Sequence, residues 1–161
     1  MGFVRNLRLF LTLDGKSIMM ILEAYILLGW ARIQKLKDFS KVSPLLGEKL
    51  SETTFTFNAD DHKIAKKISQ SIHLISKYTF WESQCLVKAM AAMKMLEKRK
   101  VESTLYLGTA KDEDGKLIAH AWLRTGPYFV TGSEGMEKFT VVATFAKRLS
   151  KNRGEKHAKE L

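Results

Sequence analysis

The spacing of apolar residues changes once along the chain, near residue 100. Before that point apolar side chains recur every three or four residues, as in Ile64, Ile68, Ile72 and Ile75, which is typical of helices packed along one side. After it apolar and polar residues alternate, which is typical of strands in a half-buried sheet. Helices followed by an antiparallel sheet predict the α+β class.

Three helices are predicted in the first part of the chain, over about residues 16–38, 60–78 and 85–98. The first is strongly apolar and follows an apolar stretch at residues 3–13. A membrane span needs about 20 apolar residues, but Glu23 lies in the middle of this helix. We therefore expect a buried or partner-facing helix, with membrane contact at most peripheral.

Breaks and turns separate the other elements. Pro44 and Gly47 predict an interruption after the first helix, and residues 51–59 a polar linker or a short extended piece. The run Asp112-Glu113-Asp114-Gly115 predicts a hairpin turn between the first two strands. Four strands are predicted, over about residues 103–109, 116–124, 128–131 and 139–145.

The length and net charge of the chain limit the classes of protein to which it can belong. At 161 residues, 45% of them hydrophobic, the chain has the size and composition of one domain with a core. We divide it into a helical N-terminal segment at 1–50, a core at 51–150 and a basic tail at 151–161. The formal net charge of +10 predicts an anionic partner, such as nucleic acid, anionic lipid or an acidic peptide or protein. Nucleic-acid binding is not expected, because no basic patch interleaved with aromatic residues and no nucleic-acid motif is visible.

The single cysteine, Cys85, restricts the chemistry. One cysteine excludes an internal disulfide, and with the four histidines it shows no metal-ligand spacing, so neither a metal nor another cofactor is expected. No signal peptide with a small-residue cleavage site is visible, which predicts a cytoplasmic protein.

Cys85 and His120 are the candidate catalytic pair. Cys85 opens a predicted helix, whose N-terminus carries a partial positive charge that favours the reactive thiolate. His120 lies in the second predicted strand, where an imidazole can take the thiol proton and later deliver it to a leaving amine. These are the two groups needed for nucleophilic acyl chemistry.

Alternation places the side chains of that strand in two sets on opposite faces of the sheet. One set is aliphatic and consists of Leu117, Ala119, Ala121 and Leu123. The other set consists of Ile118, His120 and Trp122. In the simplest arrangement the aliphatic set packs on the helices. We expect instead that the sheet wraps around the Cys85 helix with the His120 face inward, so that Ile118 and Trp122 flank the histidine.

Three runs of residues carry a family resemblance. They are Cys85-Leu86-Val87-Lys88-Ala89, Leu105-Tyr106-Leu107-Gly108 and Ala119-His120-Ala121-Trp122-Leu123. Together they resemble the transglutaminase-like leader peptidases of lasso-peptide biosynthesis, in the stand-alone form that lacks a fused leader-recognition domain. The resemblance extends over nearly the whole chain. It implies a papain/transglutaminase-like fold, with the nucleophile helix packed on an antiparallel sheet and the cysteine protease core at residues 51–150.

The resemblance also implies a function. Such enzymes are bacterial, cytoplasmic cysteine peptidases that remove the leader from a ribosomally made precursor through a thioester intermediate. Cys85 matches the nucleophile of the family and His120 its general base and acid. The implied partners are the precursor leader peptide, a small separate leader-binding protein and the ATP-dependent cyclase that closes the lasso macrolactam.

The third catalytic residue departs from the family pattern. The family usually has an Asp shortly after the histidine, whereas this chain has no Asp after Asp114 and has Gly132 near the expected position. Three alternatives remain for orienting the imidazole: the Glu134 carboxylate, a backbone or Thr131 oxygen, or no third group at all. Glu134 is our candidate.

Substrate contacts are predicted around the same pair. The backbone N–H of Cys85 is the natural first donor of an oxyanion hole, and Gln84 or Trp81 is a candidate for the second. With Trp122, these two form our set of candidate substrate-binding residues. Two other functions remain open from the sequence: a non-catalytic module that binds a peptide or protein, and an acyl transferase of the same fold.

Overall fold

The computed structural model of the protein describes residues 14–81 and 83–149, so the apolar stretch at 3–13 and the predicted basic tail at 151–161 lie outside the described residues. The helices of the described part are α1 (Gly15–Lys35), α2 (Phe39–Leu46), α3 (Ala59–Ile75) and α4 (Cys85–Lys98). Its strands are β1 (Glu48–Lys49), β2 (Ser103–Lys111), β3 (Leu117–Thr125), β4 (Tyr128–Thr131) and β5 (Thr140–Lys147). A single 3₁₀ turn, Met136–Lys138, precedes β5.

The five strands form one antiparallel sheet in the order β1-β5-β2-β3-β4. The predicted hairpin joins β2 to β3, and in its turn the Gly115 N–H donates to the Asp112 carbonyl at 3.0 Å. Leu105 of β2 lies opposite Leu123 of β3. Helices packed on an antiparallel sheet confirm the predicted α+β class.

The central helix of the core is α4. Its sequence is rich in Ala, Met and Leu, which favour helices, and it packs against α1, α3 and the sheet. Met90, Met95 and Leu96 are buried, and burial of a side chain of this size contributes about 1.5–3 kcal/mol. The helix that begins at Cys85 is therefore held along most of its length.

The face of the sheet that meets the helices is the aliphatic one. Ala121 and Leu123 of β3 belong to the core cluster together with the helix residues. Trp122, one residue away on the opposite face, stacks instead on Tyr106. The prediction that the sheet turns its His120 face toward the helices is wrong, and the simplest arrangement is the one adopted, because the aliphatic side chains fit the apolar helix layer.

Arg124 fixes a covering layer on the other face of the sheet. Its guanidinium is fully buried, and each of its five N–H groups has an acceptor. These acceptors are Tyr106 Oη, Glu52 Oε2 and the carbonyls of Thr53, Thr54 and Gly126. The Phe55 ring lies over the guanidinium, with its centroid 3.5 Å from Cζ. The segment 51–58, which has neither helix nor strand, is thereby fastened to the sheet.

The interruption predicted at Pro44 is wrong in part. Pro44 lies inside the short helix α2, where it removes one backbone hydrogen bond. Burial of Val42 and Leu46 compensates for that loss. The break comes at Gly47, which has φ +109° and whose added Cβ would lie 2.3 Å from the Ala146 carbonyl oxygen, so only glycine fits where the chain enters β1.

Among the described residues, α1 is the one helix long and apolar enough, by length and composition alone, to cross a membrane. A core helix of a soluble protein passes the same test. One face of α1, including Ala24 and Leu28, is buried in the core. Glu23 forms ion pairs with Arg99 Nη2 at 2.6 Å and Lys98 Nζ at 2.8 Å, at the end of α4. These contacts hold one face of α1 in the domain, while the outer face, with Met19, Leu22 and Ile26, is exposed.

Candidate active site

A cavity of about 460 Å³ lies between α3, the N-terminus of α4, and β4 with the loop that follows it. Cys85, His120 and Glu134 all line this cavity. The structure therefore brings the three predicted catalytic residues to one place. Further polar side chains share the lining, among them Ser69, His73 and Lys88.

Cys85 is the first residue of α4 and is half-buried. The residue before it, Gln84, is extended at the N-cap position, and its side chain does not cap the helix. The first-turn N–H groups of a helix have no partner within the helix, and their partial positive charge stabilises an anion placed beside them. At Cys85 that anion is the thiolate or the oxyanion formed when the thiolate attacks a carbonyl.

His120 is oriented by a backbone group. Its Nε2 lies 2.8 Å from the carbonyl oxygen of Gly132, 12 residues later in the chain. A carbonyl can only accept a hydrogen bond, so Nε2 must carry the proton and donate it. In the neutral ring this leaves the lone pair on Nδ1, which is then the basic atom. The rings of Phe139 and Trp122, with centroids 5.0 and 5.8 Å away, lie beside the imidazole and limit its rotation.

Gly132 cannot be replaced by the aspartate usual in the resembled family without a local rearrangement. Its φ is +73°, and an added Cβ would lie 2.3 Å from the Ala121 carbonyl oxygen and 3.0 Å from the Trp122 Cα. A side chain at this position is excluded by backbone atoms, which cannot swing away as a flexible side chain can. The backbone carbonyl of Gly132 thus occupies the role that a carboxylate would otherwise have.

Glu134 and Thr131 make no hydrogen bond to the histidine. The Thr131 Oγ1 is buried and has no partner in the described part of the chain. Glu134 lines the cavity but forms no hydrogen bond or ion pair with any described residue. Of the three alternatives for orienting His120, the backbone oxygen is the one whose geometry is present, and a catalytic role for Glu134 stays a prediction.

Cys85 and His120 face a shared space without touching. No hydrogen bond joins Sγ to the imidazole within residues 14–81 and 83–149. Catalytic hydrogen bonds are often long in enzymes without substrate and shorten in the reacting complex. The arrangement can support attack on a carbonyl carbon placed in the cavity between the two groups.

Comparison with protein families matches residues 27–144 to the Transglutaminase-like superfamily. The match covers more than half of the chain and includes both Cys85 and His120. The chain belongs to the transglutaminase-like superfamily. This superfamily includes cysteine peptidases and acyltransferases. Searches of curated proteins and of solved structures returned no match.

The three predicted substrate-binding residues of this transglutaminase-like domain are not in the cavity wall. Trp122 is only 5% exposed and lies between Tyr106 and His120. Trp81 packs on α1, with its ring centroid 5.1 Å from that of Tyr25. The Gln84 side chain accepts a hydrogen bond from Lys35. Trp122 therefore supports the histidine, whereas Trp81 and Gln84 connect the start of α4 to α1.

The transglutaminase-like site also contains residues that the sequence analysis did not select. Lys88 follows Cys85 by three positions, a spacing that places both side chains on one face of a helix, so the sequence did contain a signal for it. His73 is exposed and borders the cavity. Its position beside α4 depends on how α3 packs, which no local pattern reveals. No group of three or more His, Cys, Asp or Glu side chains suited to a metal occurs among the described residues.

Proposed function

We propose that this protein is a cysteine peptidase that removes the leader from a ribosomally synthesised lasso-peptide precursor. The observation that carries the proposal is the pairing of an uncapped helix N-terminus at Cys85 with a histidine whose tautomer is fixed, both on one cavity. The resemblance of the three motif runs to lasso leader peptidases supports the choice of substrate. Membership in the superfamily supports the thioester chemistry.

The geometry supports a two-step acyl transfer. In the first step Nδ1 of His120 takes the thiol proton, and Sγ of Cys85 attacks the scissile carbonyl carbon. The developing oxyanion lies near the Cys85 N–H and the positive end of α4. The C–N bond then breaks, Nδ1 returns the proton to the leaving amine, and the acyl group remains on sulfur as a thioester.

Hydrolysis of the thioester completes the cycle. Nδ1 removes a proton from water, the hydroxide attacks the thioester carbonyl, and the C–S bond breaks. The sulfur leaves as the thiolate and recovers the proton from the imidazolium. Throughout, Nε2 remains hydrogen-bonded to the Gly132 carbonyl, so His120 keeps the same orientation for both proton transfers.

The substrate would be delivered by other proteins in the cytoplasm. The resemblance to the stand-alone form supports delivery by a small leader-binding protein, and the product would pass to the ATP-dependent cyclase. The outer face of α1 is our candidate docking surface, since Met19 and Ile26 are 67% and 69% exposed. The net charge of +10 adds a long-range attraction to an acidic partner.

The test is a mass-spectrometric cleavage assay of the cognate precursor, with wild type and Cys85→Ala, each with and without the leader-binding protein. We expect cleavage at the leader–core junction by the wild type only, and efficient cleavage only with the partner. Cleavage by the Cys85→Ala variant would contradict the proposed mechanism. Equal rates without the partner would leave catalysis intact and overturn the delivery model.

The same assay separates the peptidase from an acyl transferase. Both reactions pass through the Cys85 thioester and differ in whether water or an amine attacks it. With a primary amine added, an acyl transferase yields the leader as an amide, whereas a peptidase yields mainly the free acid. No cleavage and no acylated Cys85 under any condition would favour a non-catalytic binding module.

A further inference from the structure

The helix that carries the nucleophile has three lysines inside it, and they differ in their pairing. Lys94 Nζ pairs with Glu97 at 2.7 Å, and Lys98 Nζ pairs with Glu23 at 2.8 Å. Lys88 forms no ion pair or side-chain hydrogen bond with any described residue. Of the three lysines, Lys88 is thus the one without an ionic partner among the described residues, and it follows the nucleophile by three positions.

Lys88 lies close to the reacting sulfur. On a helix, side chains three residues apart are neighbours with Cβ atoms about 5–6 Å from each other, which places Lys88 next to Cys85. Both residues line the cavity, and both are partly buried. Partial burial reduces screening by solvent, so the ammonium acts on the cavity more strongly than an exposed one would.

His73 lies across the cavity on the facing helix. Its Nδ1 lies 2.8 Å from the Ser69 carbonyl, so Nδ1 carries a proton. In the neutral ring this leaves a lone pair on Nε2, which accepts a hydrogen bond and cannot donate one to a carboxylate. Lys88 therefore has to hold an anion here without help from a neutral His73.

The other charged side chain among the lining residues is Glu134, in the loop after β4. It forms no ion pair with Lys88. Lys88 and the N-terminus of α4 both place positive charge at the Cys85 side of the cavity.

We propose that Lys88 forms a subsite for a carboxylate side chain of the substrate, held beside the Cys85 sulfur. The subsite selects a peptide with Asp or Glu within about two residues of the bond that is cut, because an extended residue spans about 3.3–3.6 Å and a lysine side chain reaches over one or two of them. The identification of the ligand as a peptide rests on the proposed function; the anion site itself does not.

The first test uses the single cysteine as a reporter and needs no substrate. Iodoacetate and iodoacetamide alkylate the same thiolate, but only iodoacetate is an anion, so the ratio of their rate constants measures the local charge independently of the thiolate fraction. Removing one charge about 6–8 Å away, at an effective dielectric constant of about 40–80, should lower the ratio about two- to tenfold. We expect this fall in Lys88→Gln at low salt.

Matched controls make the result specific. Lys63→Gln removes the same charge from a side chain that is 74% exposed near the other end of α3 and should leave the ratio unchanged. Lys88→Arg keeps the positive charge and should keep the ratio of rate constants at the wild-type value. In the wild type the ratio should fall as salt is raised to 1 M, because screening shortens to about 3 Å. A ratio that is insensitive to salt, or that falls equally in both glutamine variants, would overturn the anion site.

The second test concerns the peptide. For precursor variants with Glu or Gln at each position within two residues of the junction, kcat/KM should favour Glu at one position, and Lys88→Glu should reverse the preference toward Lys at that position. If the alkylation ratio behaves as expected but no peptide is cut, the anion site stands and the proposed function fails. If peptides are cut without any preference for an acid, the function stands and the subsite does not select substrate.

Discussion

Replacing Gly132 with alanine is expected to destabilise the protein and to disturb the orientation of His120. Two costs combine at this position. The left-handed conformation at φ +73° costs a residue with a Cβ about 1–2 kcal/mol. The added Cβ would also lie 2.3 Å from a backbone oxygen, and relieving such overpacking typically costs about 1–3 kcal/mol more. The expected loss in the free energy of unfolding is therefore about 2–5 kcal/mol.

Gly135 provides a matched control for the conformational part of that loss. Its φ is also +73°, but an added Cβ would meet no atom within 4 Å. Gly135→Ala should therefore cost only the conformational term, about 1–2 kcal/mol. Replacing either glycine with alanine also makes the unfolded chain less flexible, which raises the free energy of unfolding by the same amount in both variants. This contribution cancels when the two losses are subtracted. The remaining difference in unfolding free energy is the cost of the close approach between position 132 and the Ala121 carbonyl.

Urea denaturation at 25 °C measures both losses, and ¹⁵N NMR of the imidazole reports the histidine. In the wild type the neutral His120 should be the Nε2–H tautomer, because Gly132 accepts that proton. Gly132→Ala should lose more stability than Gly135→Ala and should populate the other tautomer. Equal losses in the two variants, with the tautomer unchanged, would refute the argument that Gly132 is required by the close approach and that its carbonyl orients the ring.

Two further predictions concern the base and the covering layer. His120→Ala should lower turnover by roughly 10²–10⁴-fold. Glu134→Ala should lower it far less, because Glu134 makes no hydrogen bond to a described residue. Single-turnover rates measure both losses, and equal losses in folded variants would make Glu134 a full catalytic partner. The hydrogen bond from Tyr106, and then that from Arg124, holds the pKa of Glu52 below its usual value against the opposing effect of burial. Its stabilisation should be present at neutral pH and disappear as the pH falls through that lowered value, so the difference in unfolding free energy between wild type and Glu52→Gln should shrink on acidification; a constant difference would contradict the assignment.

Local signals sufficed for the elements that carry the catalytic pair. The helical run after Cys85 and the turn at Asp112–Gly115 depend on residues close in sequence, and α4 and the β2–β3 hairpin are both present. The two periodicities also predict helices on an antiparallel sheet correctly. Predicting these features requires only helix propensity, the spacing of apolar residues and the turn residues, all of which are local in the sequence.

The inner face of β3 could not be read in the same way. Alternation shows that Ala121 and Trp122 point to opposite sides, but not which side meets the helices. The deciding contacts are long-range: Arg124 binds Glu52 and the carbonyls of the segment that follows it, which covers the aromatic side. An irregular segment with no periodic pattern carries no local sign of where it will lie.

The orienting group of His120 was hidden for a different reason. It is a backbone carbonyl, which was one of the three alternatives, but every residue has a carbonyl and no sequence pattern shows which one reaches the imidazole. The glycine at position 132 was visible as a departure from the family pattern. Its meaning depends on the approach to Ala121, which only the packed sheet reveals.

A neutral carbonyl in place of a carboxylate changes how the charges of the reaction are stabilised. When the thiol proton moves to Nδ1 in the proposed reaction, an aspartate would stabilise the imidazolium with a full negative charge, whereas the Gly132 carbonyl offers only a dipole. That stabilisation must come from elsewhere or be unnecessary. The sulfur side of this site contributes instead: the N-terminus of α4, and Lys88, which forms no ion pair with a described residue, both favour the anion at Cys85. Because a thiol is intrinsically more nucleophilic than a hydroxyl and depends less on its base, the histidine needs mainly the correct tautomer and orientation, and a carbonyl provides both.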